Sequence, residues 1–163
     1  MLGLDTRDDA VVEKYWSIIA NEQALSINSD WAGSAGLLFK QSDQTRSSVP
    51  APIGATCPYA HNATFPQWLL YVKRLSRGAV AALVINTMDE PVPQFEVLTL
   101  EELRGIATEP TDPGSINAIE RYNPVDVWTG AALSAVTSAN PWVEKGLAPH
   151  NSTFVMFMPE TGR

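Results

Sequence analysis

The sequence predicts a mainly β fold, an antiparallel β-sandwich preceded by one short strand-and-helix unit, and three observations carry that prediction. First, the stretch Trp68 to Asn86 holds two apolar, strand-length runs, WLLYVKRL and AVAALVIN, joined by Ser-Arg-Gly. This is the pattern of a β-hairpin whose loop uses glycine where φ must be positive. Second, several more short apolar runs recur at regular turn spacing through the rest of the chain, as in two-layer antiparallel folds. Third, helical periodicity is confined to the start of the chain. Leu70, Val72, Leu83 and Ile85 are too apolar for both faces of a lone hairpin to meet water, so a second layer must cover them. Lys73, Arg74 and Arg77 mark its wet tip.

Taken in order, Met1 to Leu4 reads as the end of a buried strand. Asp8 or Asp9 can cap a helix in which Val11, Tyr15, Ile18 and Ile19 recur at i, i+4, i+7 and i+8, with Val12 and Trp16 widening the stripe. Leu25 to Ile27 reads as a short extended piece, and Gly33-x-x-Gly36 as a turn. Leu37 to Lys40 is a strand, followed by the polar, Pro-containing excursion QSDQTRSSVPAP. After the hairpin, Asp89-Glu90-Pro91 is a turn and Phe95 to Leu98 a strand. Thr99-Leu-Glu-Glu102 has capping-box spacing and predicts a helical turn ending at Gly105. Beyond the polar loop Glu109 to Ser115, strands are expected at Val125 to Trp128, Ala131 to Val136 and Thr153 to Met158, with Trp142 and Val143 leading into Gly146. The expected organisation is 1–36, a strand end and helix; 37–66, the first sandwich strand and a linker or insertion; and 67–163, the sandwich.

Composition narrows the function. Eleven Lys and Arg against 18 Asp and Glu leave a formal charge of −7, which opposes a nucleic-acid footprint or a polybasic membrane surface. The longest apolar run, Ala79 to Ile85, is far short of the roughly 20 residues that span a bilayer. Neither a nucleic acid nor a membrane is expected as a partner. The opening MLGLDTRDD lacks the basic start and apolar centre of a secretory signal, so no signal peptide is expected within this chain. Two N-glycosylation sequons are present, at Asn62 and Asn151, neither with proline in its middle. Cys57 is the single cysteine and supports neither an internal disulfide nor a zinc cluster.

Groups able to carry chemistry are sparse. The acids fall in neighbouring pairs, Asp8-Asp9, Asp89-Glu90 and Glu101-Glu102, each at a helix start or turn, where a carboxylate caps free N–H groups more readily than it serves as a general acid or base. His61 and His150 have no Cys, Asp or Glu at ligand spacing, so no metal site is expected. No nucleophile elbow, P-loop or dinucleotide fingerprint occurs, and no cofactor is expected. Of the five tryptophans, Trp16, Trp68 and Trp128 lie in apolar patterns and are expected in the core. Trp31 and Trp142 remain as loop candidates for stacking on a sugar.

Four motifs resemble one family. The segment LGLDTRDDAVVEKYWSIIANEQALSINSDWAGSAG is similar to the end of the catalytic barrel in the α-galactosidases of glycoside hydrolase family 27: Leu2 to Asp5 match the strand end, and Ser26-Ile27-Asn28-Ser29-Asp30 with Gly33 and Gly36 match an A-I-N-Q-D-x-x-G-x-x-G phrase. Thr6 and Ser29 depart from that pattern. Trp68 to Asn86 resembles the family's V-W-x-K-P-L-x-x-G-x-x-A-V-A-L-x-N hairpin, Asp126-Val127-Trp128-Thr129-Gly130 its D-L-W-T-G strand, and Leu147-Ala148-Pro149-His150 its L-x-P-H turn.

The resemblance implies the last β/α unit of a (β/α)₈ barrel followed by a C-terminal antiparallel sandwich. It implies a retaining hydrolase of terminal α-linked galactosides that works with two aspartates, a carbohydrate met through a barrel lying upstream, and room for a homodimer. Both aspartates belong to earlier barrel strands, and no position here matches them. No catalytic residue is therefore carried over, and Asp5, at the strand-end rim where barrel sites form, is only a weak candidate. The chain looks like a C-terminal fragment or a truncated gene product with Met1 an internal methionine. Its full-length form is expected to be secreted or to be lysosomal or vacuolar, a setting in which Asn62 and Asn151 become more credible glycosylation sites. The alternative is a free-standing β-sandwich that binds carbohydrate. The bare apolar stripe of the first helix also predicts a chain made more soluble by removing residues 1–33.

Overall fold

The computed structural model describes residues 9–47, 64–108 and 119–161. Asp5, Asp8, Cys57, His61, Asn62, the strand end Met1 to Leu4 and the loop Glu109 to Ser115 lie outside them. The elements, in chain order, are α1 (Asp9–Ile19), α2 (Glu22–Ser29), β1 (Leu37–Gln41), β2 (Thr45–Ser47), β3 (Thr64–Pro66), β4 (Trp68–Arg74), β5 (Val80–Asn86), β6 (Phe95–Leu98), α3 (Leu100–Ala107), β7 (Ile119–Asp126), β8 (Trp142–Glu144) and β9 (Ser152–Thr161).

The predicted hairpin organises the rest. β4 and β5 pair from Trp68 opposite Asn86 to Arg74 opposite Val80, and β5 is the middle strand of a five-stranded sheet ordered β1-β4-β5-β9-β7. All its pairings are antiparallel. Ser76–Gly78 closes the hairpin, with Gly78 at φ +72° and Arg77 also left-handed at φ +60°. Glycine thus meets only half of the turn's demand, and Arg77 meets the other half at a steric cost.

Alternation along the hairpin separates two faces. Leu70, Val72, Val80, Ala82 and Val84 point into the main core, where they meet Val97 and Leu98 of β6, Leu100, Leu103 and Ala107 of α3, and Trp142 of β8. The second layer is therefore smaller than a full sheet. It consists of the two-stranded β6-β8 ribbon and α3, which the capping box starts: the Thr99 side chain accepts from the Glu102 N–H, and the Glu102 carboxylate accepts from the Thr99 N–H at 2.9 Å. The helix passes through Gly105 to Ala107 because Leu103 and Ala107 have core to bury. Ala131 to Val136 is not a strand. Only isolated bridges, Val125 to Ala132 and Tyr122 to Val136, hold it to β7, since the turn at Gly130 (φ +72°) sends the segment along the sheet edge with half its backbone unpaired.

The excursion after β1 begins and ends as a short ribbon, β2 against β3. The predicted extended piece at Leu25 to Ile27 is helical instead. The Asn21 side chain accepts from the Ala24 N–H at 2.9 Å and Glu22 sits in the first turn, and an N-cap with good helix formers behind it outweighs a three-residue apolar alternation. Every strand pair among the described residues is antiparallel, and the strand end expected for a barrel unit, Met1 to Leu4, falls outside them.

The two N-terminal helices differ in how they are held. No residue of α1 is buried, and Trp16, expected in the core, is 58% exposed. α2 is docked. Ile27 is buried with Leu75, Ala79, Ala81 and Val127, the Asn21 amide donates to the Val127 carbonyl at 3.1 Å, and Lys73 Nζ donates to the carbonyls of Ile27 (2.5 Å) and Asn28 (3.2 Å). Deleting residues 1–20 is expected to raise the soluble yield. Deleting 1–33 strips a cover from four apolar residues and is expected to lower both yield and melting temperature. Comparing the three lengths in one centrifugation and melting series checks this division.

Two carboxylates respond to the fold in opposite senses. For Glu102, burial alone would raise the pKa, but Lys40 at 2.6 Å and the Thr99 bonds hold the carboxyl below its usual value. That stabilisation is present above the unfolded pKa and is lost as pH falls through the lower folded one. Burial pushes Glu144 up, and Asp126 adds to it, against bonds from Thr153 and the Lys145 backbone. Because folded Glu144 holds its proton more tightly than the unfolded chain does, its ionisation opposes folding as pH rises above the carboxylate range. Glu144→Gln is expected to raise the melting temperature at pH 7 and to lose that advantage below about pH 4. Thermal melts across pH measure it.

Candidate functional site

The outward face of the five-stranded sheet is where exposed aromatic rings gather. Tyr71, Leu83 and Phe154 are in register across β4, β5 and β9, so period-two geometry puts all three on this face. Phe154 extends the row to the half-open ring of Trp128, centroid to centroid 5.5 Å. One row along, Ala81 lies beside Lys73, buried against Ile27 of α2. α2 and the loop 30–36 form a wall along this face, and the groove between them has a volume of about 510 Å³.

Trp31 projects on that wall, 70% exposed, from a loop fixed on both sides. The Asp30 carboxylate accepts from the Ser76 N–H at 3.1 Å and the Ser76 hydroxyl at 2.8 Å. The Ala32 carbonyl accepts from Arg74 Nε at 2.9 Å and from a second nitrogen of the same guanidinium. Gly33, at φ +82°, then turns the chain, in a conformation that a side chain would strain. The hairpin tip is thus not simply wet. Lys73 holds the end of α2, and Arg74 joins the Trp31 loop to the end of α3 through the Thr108 carbonyl at 3.0 Å, cations meeting carbonyls at helix C-termini.

The other sequence candidates separate cleanly. Trp142 is 7% exposed and packs edge-on against Phe157, so it is core and not a loop platform. Trp68 stacks on Phe95 at 4.6 Å, half-buried. Trp128, expected in the core, is 38% exposed. Asn151 is exposed, with its Oδ1 taken by the Ser152 N–H at 2.8 Å. His150 Nε2 meets the Asp89 carboxylate at 2.8 Å on the open surface, and Asp126 Oδ1 caps the turn at Thr129, 2.7 Å from its N–H. Among the described residues no three His, Cys, Asp or Glu come together as a metal site would need, and no helix is long and apolar enough to cross a membrane. Sequence reasoning found Trp31 but not Tyr71 or Phe154, whose juxtaposition depends on strand pairing that no local pattern reports.

Comparison with solved structures places the fold. About nine-tenths of the chain superposes on α-galactosidase I from Mortierella vinacea (TM-score 0.57, 13% identity, 89% of this chain and 28% of that one). The α-galactosidase of Saccharomyces cerevisiae matches similarly (0.59, 12%, 89% and 37%), as does a GH27 β-L-arabinopyranosidase from Geobacillus stearothermophilus (0.57, 14%, 90% and 24%). The fold is that of the C-terminal region of family 27 glycosidases. The chain spans 24% to 37% of the length of these enzymes. No protein-family model matches the sequence, and a search of curated proteins finds no relative.

Proposed function

We propose that this chain is the C-terminal portion of an α-galactosidase-like retaining glycoside hydrolase and is inactive by itself. The observation that carries the reading is one of proportion: nearly all of this chain, and only 24% to 37% of the glycosidases, takes part in the match, and four sequence motifs follow in the same order. In this reading 1–36 derive from the end of a (β/α)₈ barrel, the galactoside is met by the portion upstream, and the whole protein is secreted or resides in a lysosome or vacuole. A glycan on Asn151 would project into solvent.

The engagements of four carboxylates support the inactivity. Retaining hydrolysis requires a nucleophile and an acid/base about 5 Å apart across an open site. Here Glu102 is spent on the capping box and Lys40, Asp126 on the Thr129 turn, Asp30 on Ser76 and Asp89 on His150. The pure 163-residue chain is expected to release p-nitrophenol from p-nitrophenyl α-D-galactopyranoside no faster than buffer. Release that depends on the protein would overturn the reading. A free-standing carbohydrate-binding sandwich is the second reading, and the exposed, anchored Trp31 favours it.

A further inference from the structure

We infer that the groove between α2, the Trp31 loop and the β4-β5-β9 face is a binding site for a neutral pyranoside. The inference rests on the second reading, a carbohydrate-binding sandwich, and stands independently of the proposed glycosidase origin. A pyranose ring offers an apolar C–H face and a rim of hydroxyls, and the groove offers a counterpart to each. Trp31 supplies a large exposed ring on a backbone that need not be ordered on binding, since Asp30 and Ala32 on either side of it are already tied to Ser76 and Arg74. Tyr71, Leu83 and Phe154 supply the floor. The volume, about 510 Å³, lies within the roughly 300–1,000 Å³ of small-ligand sites.

The polar groups decide against a purely apolar occupant. Among the described residues, the Trp31 indole N–H, the Tyr71 hydroxyl and the Asn28 carboxamide have no intramolecular hydrogen-bond partner, and Lys73, with two carbonyls accepted, keeps one N–H in hand. An acyl chain or aromatic hydrocarbon would desolvate these groups without replacing their water, whereas sugar hydroxyls can both donate and accept. Among the described residues Lys73 is the one cation lining the groove, and it is already committed to the end of α2, so a neutral ligand is favoured over an anionic one.

Isothermal titration of the full chain with methyl α-D-galactopyranoside is the test. Saturable binding is expected with a dissociation constant on the order of 1 mM. Trp31→Ala should weaken it about tenfold or more, as loss of one stacked ring implies. Tyr71→Phe, which keeps the floor and removes only the hydroxyl, should weaken it about fivefold. Trp31 is exposed, so its replacement should leave circular dichroism and melting temperature unchanged. The inference is overturned if the sugar gives no saturable heat, or if Trp31→Ala binds as the parent does. It is equally overturned if the groove takes 1-anilinonaphthalene-8-sulfonate that the sugar cannot displace, or if it closes in a Trp31-dependent dimer.

Discussion

Phe157→Ala is expected to destabilise the chain by about 4 kcal/mol, the usual cost of emptying a fully buried phenylalanine site. The ring is wholly buried on β9, its strand is flanked at that position by Val80 and Pro124, and Trp142 packs edge-on against it with centroids 5.2 Å apart. It therefore joins the five-stranded sheet to the β6-β8 ribbon within the main core. Against a total of about 5–15 kcal/mol for a domain, such a loss removes a large share of the stability. Urea unfolding should show a lower midpoint at unchanged slope. A loss below about 1 kcal/mol would mean that the layers do not meet through this ring.

Asn86→Ala is expected to cost about 3 kcal/mol, through hydrogen bonds and not volume. Asn86 is 1% exposed. Its amide donates to the carbonyls of Glu90 (2.8 Å), Leu147 (3.0 Å) and Ala148 (2.9 Å), and its Oδ1 accepts from the Met88 N–H at 2.8 Å. One side chain at the end of β5 thus ties the turn after the hairpin to the turn before β9. Asn86→Asp separates this account from simple packing. It preserves shape but replaces two donor hydrogens with a carboxylate facing three carbonyl oxygens, so it should destabilise more than alanine does. If aspartate proves the milder change, the carbonyl contacts are not what holds the two turns.

Elements with local causes were legible in the sequence. The β4-β5 hairpin showed itself by two apolar runs around a glycine, and α3 by the Thr99 to Glu102 spacing, because the turn and the cap are each made by neighbours in the chain. α2 was misread because Leu25, Ser26 and Ile27 imitate strand alternation, although Asn21 before Glu22 was a readable cap. Ala131 to Val136 has strand composition, but composition does not say which edge is free to pair, and only two of its residues form bridges. The tryptophans divide on the same line. Trp142 looked like a loop residue because Pro141 and Gly146 flank its segment, yet pairing with Leu98 places it over the core. Trp16 and Trp128 have apolar neighbours in sequence, yet Trp16 is 58% exposed and Trp128, packed on Phe154 along one side, is 38% exposed.

The groove was the least legible part. Tyr71, Leu83 and Phe154 are far apart in sequence, and only the joint register of β4, β5 and β9 aligns them. Trp31 could be nominated from its glycine-rich surroundings. Its anchoring could not, because Ser76 and Arg74 reach it from a hairpin tip more than 40 residues away.

The central claim, that this sandwich is one end of a longer glycosidase, is tested most directly by sequencing the genomic DNA immediately 5′ of the Met1 codon together with the transcript that spans it. An open frame continuous with Met1, encoding the earlier strands of a (β/α)₈ barrel with an aspartate at the end of two of them, is the predicted result. An in-frame stop codon just upstream, on a transcript that begins beyond it, would contradict the account and leave the pyranoside groove as this chain's own activity.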